Sequence, residues 1–163
     1  MQPTDFWMVR AGDNNELADL VEEKNAVAVG GAKMGDLSAL GTRGQFRVRY
    51  KEAYPDQPGS VVAIKSGELL RFAHTIREGA YILTYLQDTN ELLIGLAEGP
   101  YEYRTDLFGA NYPHVRRVRW LKRVPLDAFG PEARDAMASD LTVFVLDDYG
   151  AEIHRLATAE GEG

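Results

Sequence analysis

The residues best suited to chemistry lie in one stretch, Ala26 to Ser38, AVAVGGAKMGDLS. Val27 and Val29 are β-branched and read as a buried strand. That strand stops at Gly30-Gly31, where a backbone without Cβ atoms lets another chain, a ligand or a base come close. Gly35-Asp36 supplies a turn, and Asp36 is placed to cap a helix beginning at Leu37. Strand, open loop and helix start together make a place where backbone N–H groups and a helix N-terminus can hold a ligand. The same pattern also suits a tight strand-to-helix connection with no ligand.

Other patterns carry less. Val62-Ala63-Ile64-Lys65 matches a protein-kinase motif, but the glycine-rich phosphate loop and the HRD and DFG segments that kinase chemistry needs are missing. Gly30-Gly31-Ala32-Lys33-Met34-Gly35 lacks the Gly-Lys-Ser/Thr end that places a phosphate-loop lysine and holds magnesium. Glu22-Glu23-Lys24 offers half of a metal-dependent nuclease site, yet it ends a solvated helix instead of converging from a rigid sheet. Ser38, Ser60, Ser66 and Ser139 lack a nucleophile-elbow context. His74, His114 and His154 show no ligand spacing, and there is no cysteine. No catalytic residue, metal or cofactor is therefore expected.

Aromatic and basic residues say more. Trp7, Tyr81, Tyr85, Tyr101, Tyr103 and Trp120 fall on expected strands or at their ends, and most belong in a core. A minority near the glycine loop would make a stacking pocket of the kind that holds a base swung out of a duplex. Arg116 to Arg123, with Arg43, Arg47, Arg49 and Lys51, would hold the flanking phosphates, or else form solvated basic faces with no ligand.

The elements that must position these groups follow from composition and periodicity. With 163 residues and 45% hydrophobic content, the chain suits one core, read as a single domain over 1–155 with a disordered tail over 156–163. No apolar run is long enough to span a membrane, no secretory signal opens the chain, and the absence of cysteine fits a cytoplasmic setting. The net charge of −7 argues against general coating of nucleic acid and confines any such contact to one side. Strands are expected over Asp5 to Arg10, Ala26 to Val29, Tyr81 to Leu86 and Leu92 to Glu98, followed by a bend at Gly99-Pro100. In Val115 to Val124, Val118, Trp120 and Val124 face one way and Arg117, Arg119 and Arg123 the other, giving a packed side and a cationic side. Helices are expected from Asp13 or Asn14 to Lys24, around Phe46 and Tyr50, from Val61 to Arg77, from Ala128 to Ser139, and from Asp147 or Asp148 to Leu156. Early helices and later hairpin-linked strands indicate an α+β fold on a small curved sheet or barrel.

The segments WMVRAG, DNNELADLVEEK, VAVG followed by MGDLS, FAHTIREGAYILTY, LLIGLAEG, YEY and VRWLKRV occur in this order. In that order they resemble the N-terminal domain of some Mrr-type restriction endonucleases, which is similar to the EVE and YTH members of the PUA superfamily. The resemblance covers roughly residues 5 to 150. It implies a PUA-like sheet or barrel flanked by helices and a reader of a modified base in double-stranded DNA. In that picture the domain flips the base into a pocket and targets a nuclease carried on a separate domain of the full-length protein. An RNA-binding module of the same superfamily is the alternative. The pocket is expected to be bounded by Trp7, Arg10, Asn15, Gly30, Gly31, Lys33, Met34, Asp36 and Tyr85, with Arg43, Arg47, Arg117, Arg119 and Arg123 on the DNA backbone. Two departures from the family pattern stand out: Ala80 replaces the usual Asp, and Gly31 stands where the related sequences carry a tryptophan.

Overall fold

The computed structural model describes residues 5–159. Six strands form one open sheet: β1 (Phe6–Val9), β2 (Ala26–Val29), β3 (Tyr81–Leu86), β4 (Glu91–Tyr103), β5 (His114–Pro125) and β6 (Val143–Val145), in the order β2-β5-β4-β3-β1-β6. Only β1 and β3 pair in parallel; the other neighbours are antiparallel. The sheet curls until β1 and β2 approach each other, but they are not hydrogen-bonded neighbours, so the expected barrel is not closed.

Alternation along the strands builds two cores. Trp7, Val9 and Ile82 face one side, packed with Phe46, Leu69 and Phe72 from α2 (Arg43–Ala53), α3 (Gly59–Leu70) and the turn after it. Phe6, Met8, Tyr81 and Leu83 face the other, against Ala133 and Met137 of α4 (Pro131–Met137) and Ile153 of α5 (Gly150–Thr158). A short α1 (Ala18–Lys24) adds Val21 to the first core. Both faces are thus covered, and the chain is an α/β layering of helices on either side of the sheet.

Local sequence explains most boundaries. Thr42 opens α2 with a capping box, its hydroxyl accepting from Gln45 N–H while the Gln45 side chain accepts from Thr42 N–H. Pro131 sits in the first turn of α4. Where β5 crosses β4, a Cβ on Gly95 would lie 2.5 Å from Arg119 O and 2.8 Å from the Trp120 ring, so only glycine permits the crossing.

Several expectations are corrected. Asp36 caps no helix; its Oδ1 accepts from the backbone N–H and hydroxyl of Ser38 in a local turn. Asp13 and Asn14 lie in a short 3-10 turn and α1 starts only at Ala18. Asp147 turns its carboxylate onto Phe6 N–H at 2.8 Å instead of capping the last helix. Gly99-Pro100 does not end a strand; β4 runs through it as a register shift between Ala97 and Tyr101. α5 continues to Thr158, past the expected start of the tail at 156, and residues 160–163 of that tail lie outside the described residues.

Arg116 holds that bulge. It is buried, and its Nε and Nη2 donate to Gly99 O at 3.1 and 2.9 Å. Its Nη1 donates to Phe72 O at 2.9 Å, in the wide turn Arg71–Thr75 that follows α3, and to Ile76 O at 2.8 Å, just after that turn. This arginine, expected at a phosphate, is an internal strut.

Candidate functional site

Because β1 and β3 run parallel, their C-terminal ends finish on the same side of the sheet. Chain leaving them, together with α4 and the residue after it, surrounds a cavity of about 450 Å3, within the range of about 300–1,000 Å3 usual for small-molecule sites. Buried Met8 and Met137 with half-buried Leu126 form its apolar floor, and Tyr85 stands at its side. Asn14, Asn15 and Gln87 supply amide groups toward the rim, and Arg10 and Arg134 supply guanidinium groups. The lining contains no carboxylate.

The loop at its mouth is held in an uncommon conformation. Gly12, Asn14 and Asn15 have φ of +77°, +53° and +62°; asparagine tolerates the left-handed region better than most residues, at a strain cost on the order of 1 kcal/mol. Asn15 fixes this loop to the end of β3, its Nδ2 donating to Tyr85 O and its Oδ1 accepting from Gln87 N–H, both at 2.8 Å. Arg10 donates from Nε to Leu141 O at 3.1 Å and from Nη2 to Ser139 O at 2.7 Å. Arg134 donates to Phe129 O at 2.6 Å. All these acceptors are neutral carbonyls, and among the described residues neither arginine makes an ion pair.

Of the residues expected in one pocket, Arg10, Asn15 and Tyr85 meet here. Trp7 does not: neighbouring residues on β1 point to opposite faces, so with Met8 turned to the cavity, Trp7 is buried in the other core, its Nε1–H without a partner. The glycine loop forms a separate place. Gly31 has φ +82°, and a Cβ there would lie 3.0 Å from Leu69 Cδ1, so the presumed floor backs onto a core side chain. Met34 is buried. The loop's donors are engaged within the protein: Lys33 N–H with Tyr54 Oη and Leu37 N–H with Tyr101 Oη, each at 3.1 Å, and Met34 N–H with Gly31 O at 3.0 Å. Gly30 meets the 105–113 loop, where a Cβ would lie 3.8 Å from Asn111 O. That loop is tied to the β1–α1 loop by Asp13 N–H donating to Tyr112 Oη at 3.1 Å and by Tyr112 hydroxyl donating to Glu16.

Buried His114 fastens the glycine loop. Its Nε2 lies 2.9 Å from Gly31 O, which can only accept, so the proton sits on Nε2. Nδ1 therefore accepts, from the Tyr101 hydroxyl at 2.7 Å. Burial pulls the His114 pKa below its ordinary value, opposed by the bond to Gly31 and by the charge of Asp36. Asp36 is itself held below its usual value by the two bonds from Ser38.

The strand expected to show a cationic side shows balanced pairs instead. Arg117 meets Glu102 at 3.1 Å, Arg119 meets Glu98 at 3.8 Å, and Arg123 meets Glu91 at 2.8 Å and also Glu22. Arg43 and Arg47 are exposed on α2, which packs in the core across the sheet from α4 and the cavity.

Sequence reasoning missed Arg134, Met137, Leu126, Gln87 and Asn14. The one available signal was the helix opened by Pro131, in which Ala133 and Met137 share a buried face and Arg134 stands beside it. Among the described residues no group of three or more His, Cys, Asp or Glu could hold a metal ion, and no helix is long and apolar enough to cross a membrane.

No curated protein matches the chain. Solved structures similar to it include the "Mmi1 YTH domain" at 12% identity and TM-score 0.47, covering 96% of this chain and 77% of that one; the "YTH domain-containing protein mmi1 and RNA complex" at 10% and 0.47, covering 94% and 82%; and the YTH domain of Zygosaccharomyces rouxii MRB1 protein in complex with N6-methyladenosine RNA at 14% and 0.45, covering 98% and 88%. None of the three names, nor the family description, mentions a restriction nuclease. The family description matches residues 7–146, from β1 through β6, and so the chain belongs to the family described as a domain of unknown function, DUF8426.

Proposed function

We propose that this domain binds the modified base of an unpaired nucleotide, in single-stranded RNA, within the cavity at the ends of β1 and β3. The observation that carries the proposal is the composition of that cavity: the apolar side chains of Met8, Leu126 and Met137 share its lining with Asn14 and Gln87. A planar heterocycle needs both, a surface for its π-face and fixed donors and acceptors for its edge. Thioethers adapt to an added methyl group, and burying one contributes about 0.8 kcal/mol, roughly fourfold in affinity.

An unpaired strand is favoured over the duplex DNA implied by the sequence resemblance. Flipping a base from a duplex costs a few kcal/mol, which is usually recovered through a row of phosphate contacts. Here Arg117, Arg119 and Arg123 face carboxylates and Arg116 is internal, so β5 offers no net positive track. Attachment to a nuclease and service in a restriction system have no support in the fold or the site.

Binding measured by fluorescence anisotropy, with short single-stranded RNA and duplex DNA, each with and without a methylated base, tests the proposal. Expected is tighter binding of the methylated single strand, lost on placing Trp at Ala138. Preference for the methylated duplex over the single strand would reverse it.

A further inference from the structure

We infer that the cavity receives a phosphate together with the base, so that its ligand is a nucleotide carrying a phosphomonoester and not a neutral nucleoside. This rests on the reading of the cavity as a base site.

The argument is one of charge. The chain carries a net charge of −7; Arg104, Arg117, Arg119 and Arg123 sit against carboxylates, whereas Arg116 inside the fold and exposed Arg43 and Arg47 on α2 have no ion pair among the described residues. What sets the cavity apart is that two such arginines share it. Arg10 and Arg134 both line it, no carboxylate does, and neither has an ion pair among the described residues. Backbone carbonyls orient the two guanidinium groups without neutralising them. Two like charges facing one concave space repel each other until an anion enters, and a planar fork of donors suits a phosphate through paired N–H bonds. An internal phosphodiester brings a single negative charge, whereas the phosphomonoester of a free nucleoside monophosphate or of a strand end brings about −1.5 to −2 and a third acceptor oxygen, the closer match to two guanidinium groups. These two sources share the chemistry.

Arg134 is the better probe, because Arg10 also ties the 139–141 turn to β1 and its loss threatens the fold. Isothermal titration of the whole chain would use adenosine, adenosine 5′-monophosphate, N6-methyladenosine 5′-monophosphate, inorganic phosphate, and a short RNA with either a 5′-phosphate or a 5′-hydroxyl. Expected is at least about tenfold tighter binding of monophosphate than of nucleoside, the scale of one charge-assisted contact. The gap should shrink as salt is raised. It should shrink in Arg134→Gln, where Arg10 alone remains, and return in part in Arg134→Lys. If the free monophosphate binds and the phosphorylated strand end does not, the source is a mononucleotide; the opposite order identifies a strand end. Equal affinities for nucleoside and monophosphate overturn this inference while leaving base reading intact. Inorganic phosphate binding where no nucleoside or nucleotide does overturns base reading instead.

Discussion

Replacing Arg116 by methionine separates the internal role described above from a role at a phosphate. The substitution keeps most of the aliphatic volume and removes four donated bonds, leaving the carbonyls of Gly99, Phe72 and Ile76 without them. An orphaned buried acceptor costs about 1–3 kcal/mol, so three amount to roughly 3–9 kcal/mol before relaxation. Against this, the arginine is buried with no ion pair among the described residues, only the charge of Glu78 opposing its burial, and relieving that desolvation returns several kcal/mol. The balance is a destabilisation of about 2–4 kcal/mol. Lysine should fare no better, since one ammonium cannot reach carbonyls both after α3 and on β4. Urea unfolding followed by the fluorescence of Trp7 and Trp120 gives the difference in midpoint. An Arg116→Met variant within about 0.5 kcal/mol of the parent, especially one with weakened nucleic-acid binding, would refute the strut and return Arg116 to the surface.

Further outcomes follow from other contacts. His114 is neutral in the fold and its pKa is depressed, so the unfolded chain takes up the proton more readily. Its contribution is complete above about pH 6.5 and is lost as pH falls toward the folded value, by at most about 1.4 kcal/mol per pH unit; His114→Gln should flatten stability between pH 7.5 and 5, and parallel profiles would contradict the assignment. Gly31→Trp places a side chain at φ +82° against Leu69 and should lower stability by about 1–2 kcal/mol, read by thermal melting; tighter ligand binding at unchanged stability would show that the loop opens. Glu68→Ala removes the buried carboxylate that accepts from Thr142 N–H at 2.7 Å, and should cost about 2–4 kcal/mol with early hydrogen exchange in β6. An exchange profile like the parent's would exclude Glu68 as the link between α3 and that strand.

What the sequence disclosed was governed by neighbours along the chain. Parity gives the faces of the first half of β5, with Val118 and Trp120 opposite Arg117 and Arg119, but the register shift at Ile94/Gly95 turns Val124 into the other core, against expectation; Phe46 with Tyr50 located α2, because strand and helix periods are local. The partners were not local. Glu102, Glu98 and Glu91 come from the adjoining strand β4, so nothing in the run of basic residues revealed that it was neutralised. Asp36 and Asp147 were equally suited to capping, and tertiary surroundings sent one to a turn and the other to Phe6. Arg10, Asn15 and Tyr85 line one cavity, but the glycine loop was joined to them since sequence shows that β1 and β2 are strands and not which sides of them share a cavity. Arg134 escaped because a lone arginine on a short helix has no pattern.

The position of β1 has a consequence for biosynthesis. This strand is made before its sheet partners β3 and β6, and Phe6 is held on both sides of its peptide by Leu146 N–H and the Asp147 carboxylate. Its apolar FWMV segment must therefore wait for β6 until residues through 145 have been translated. Pairing at such sequence separation is slow and exposes the nascent chain to association, so holding chaperones acting on that segment, or stalling before residue 143, should decide how much protein reaches the native state.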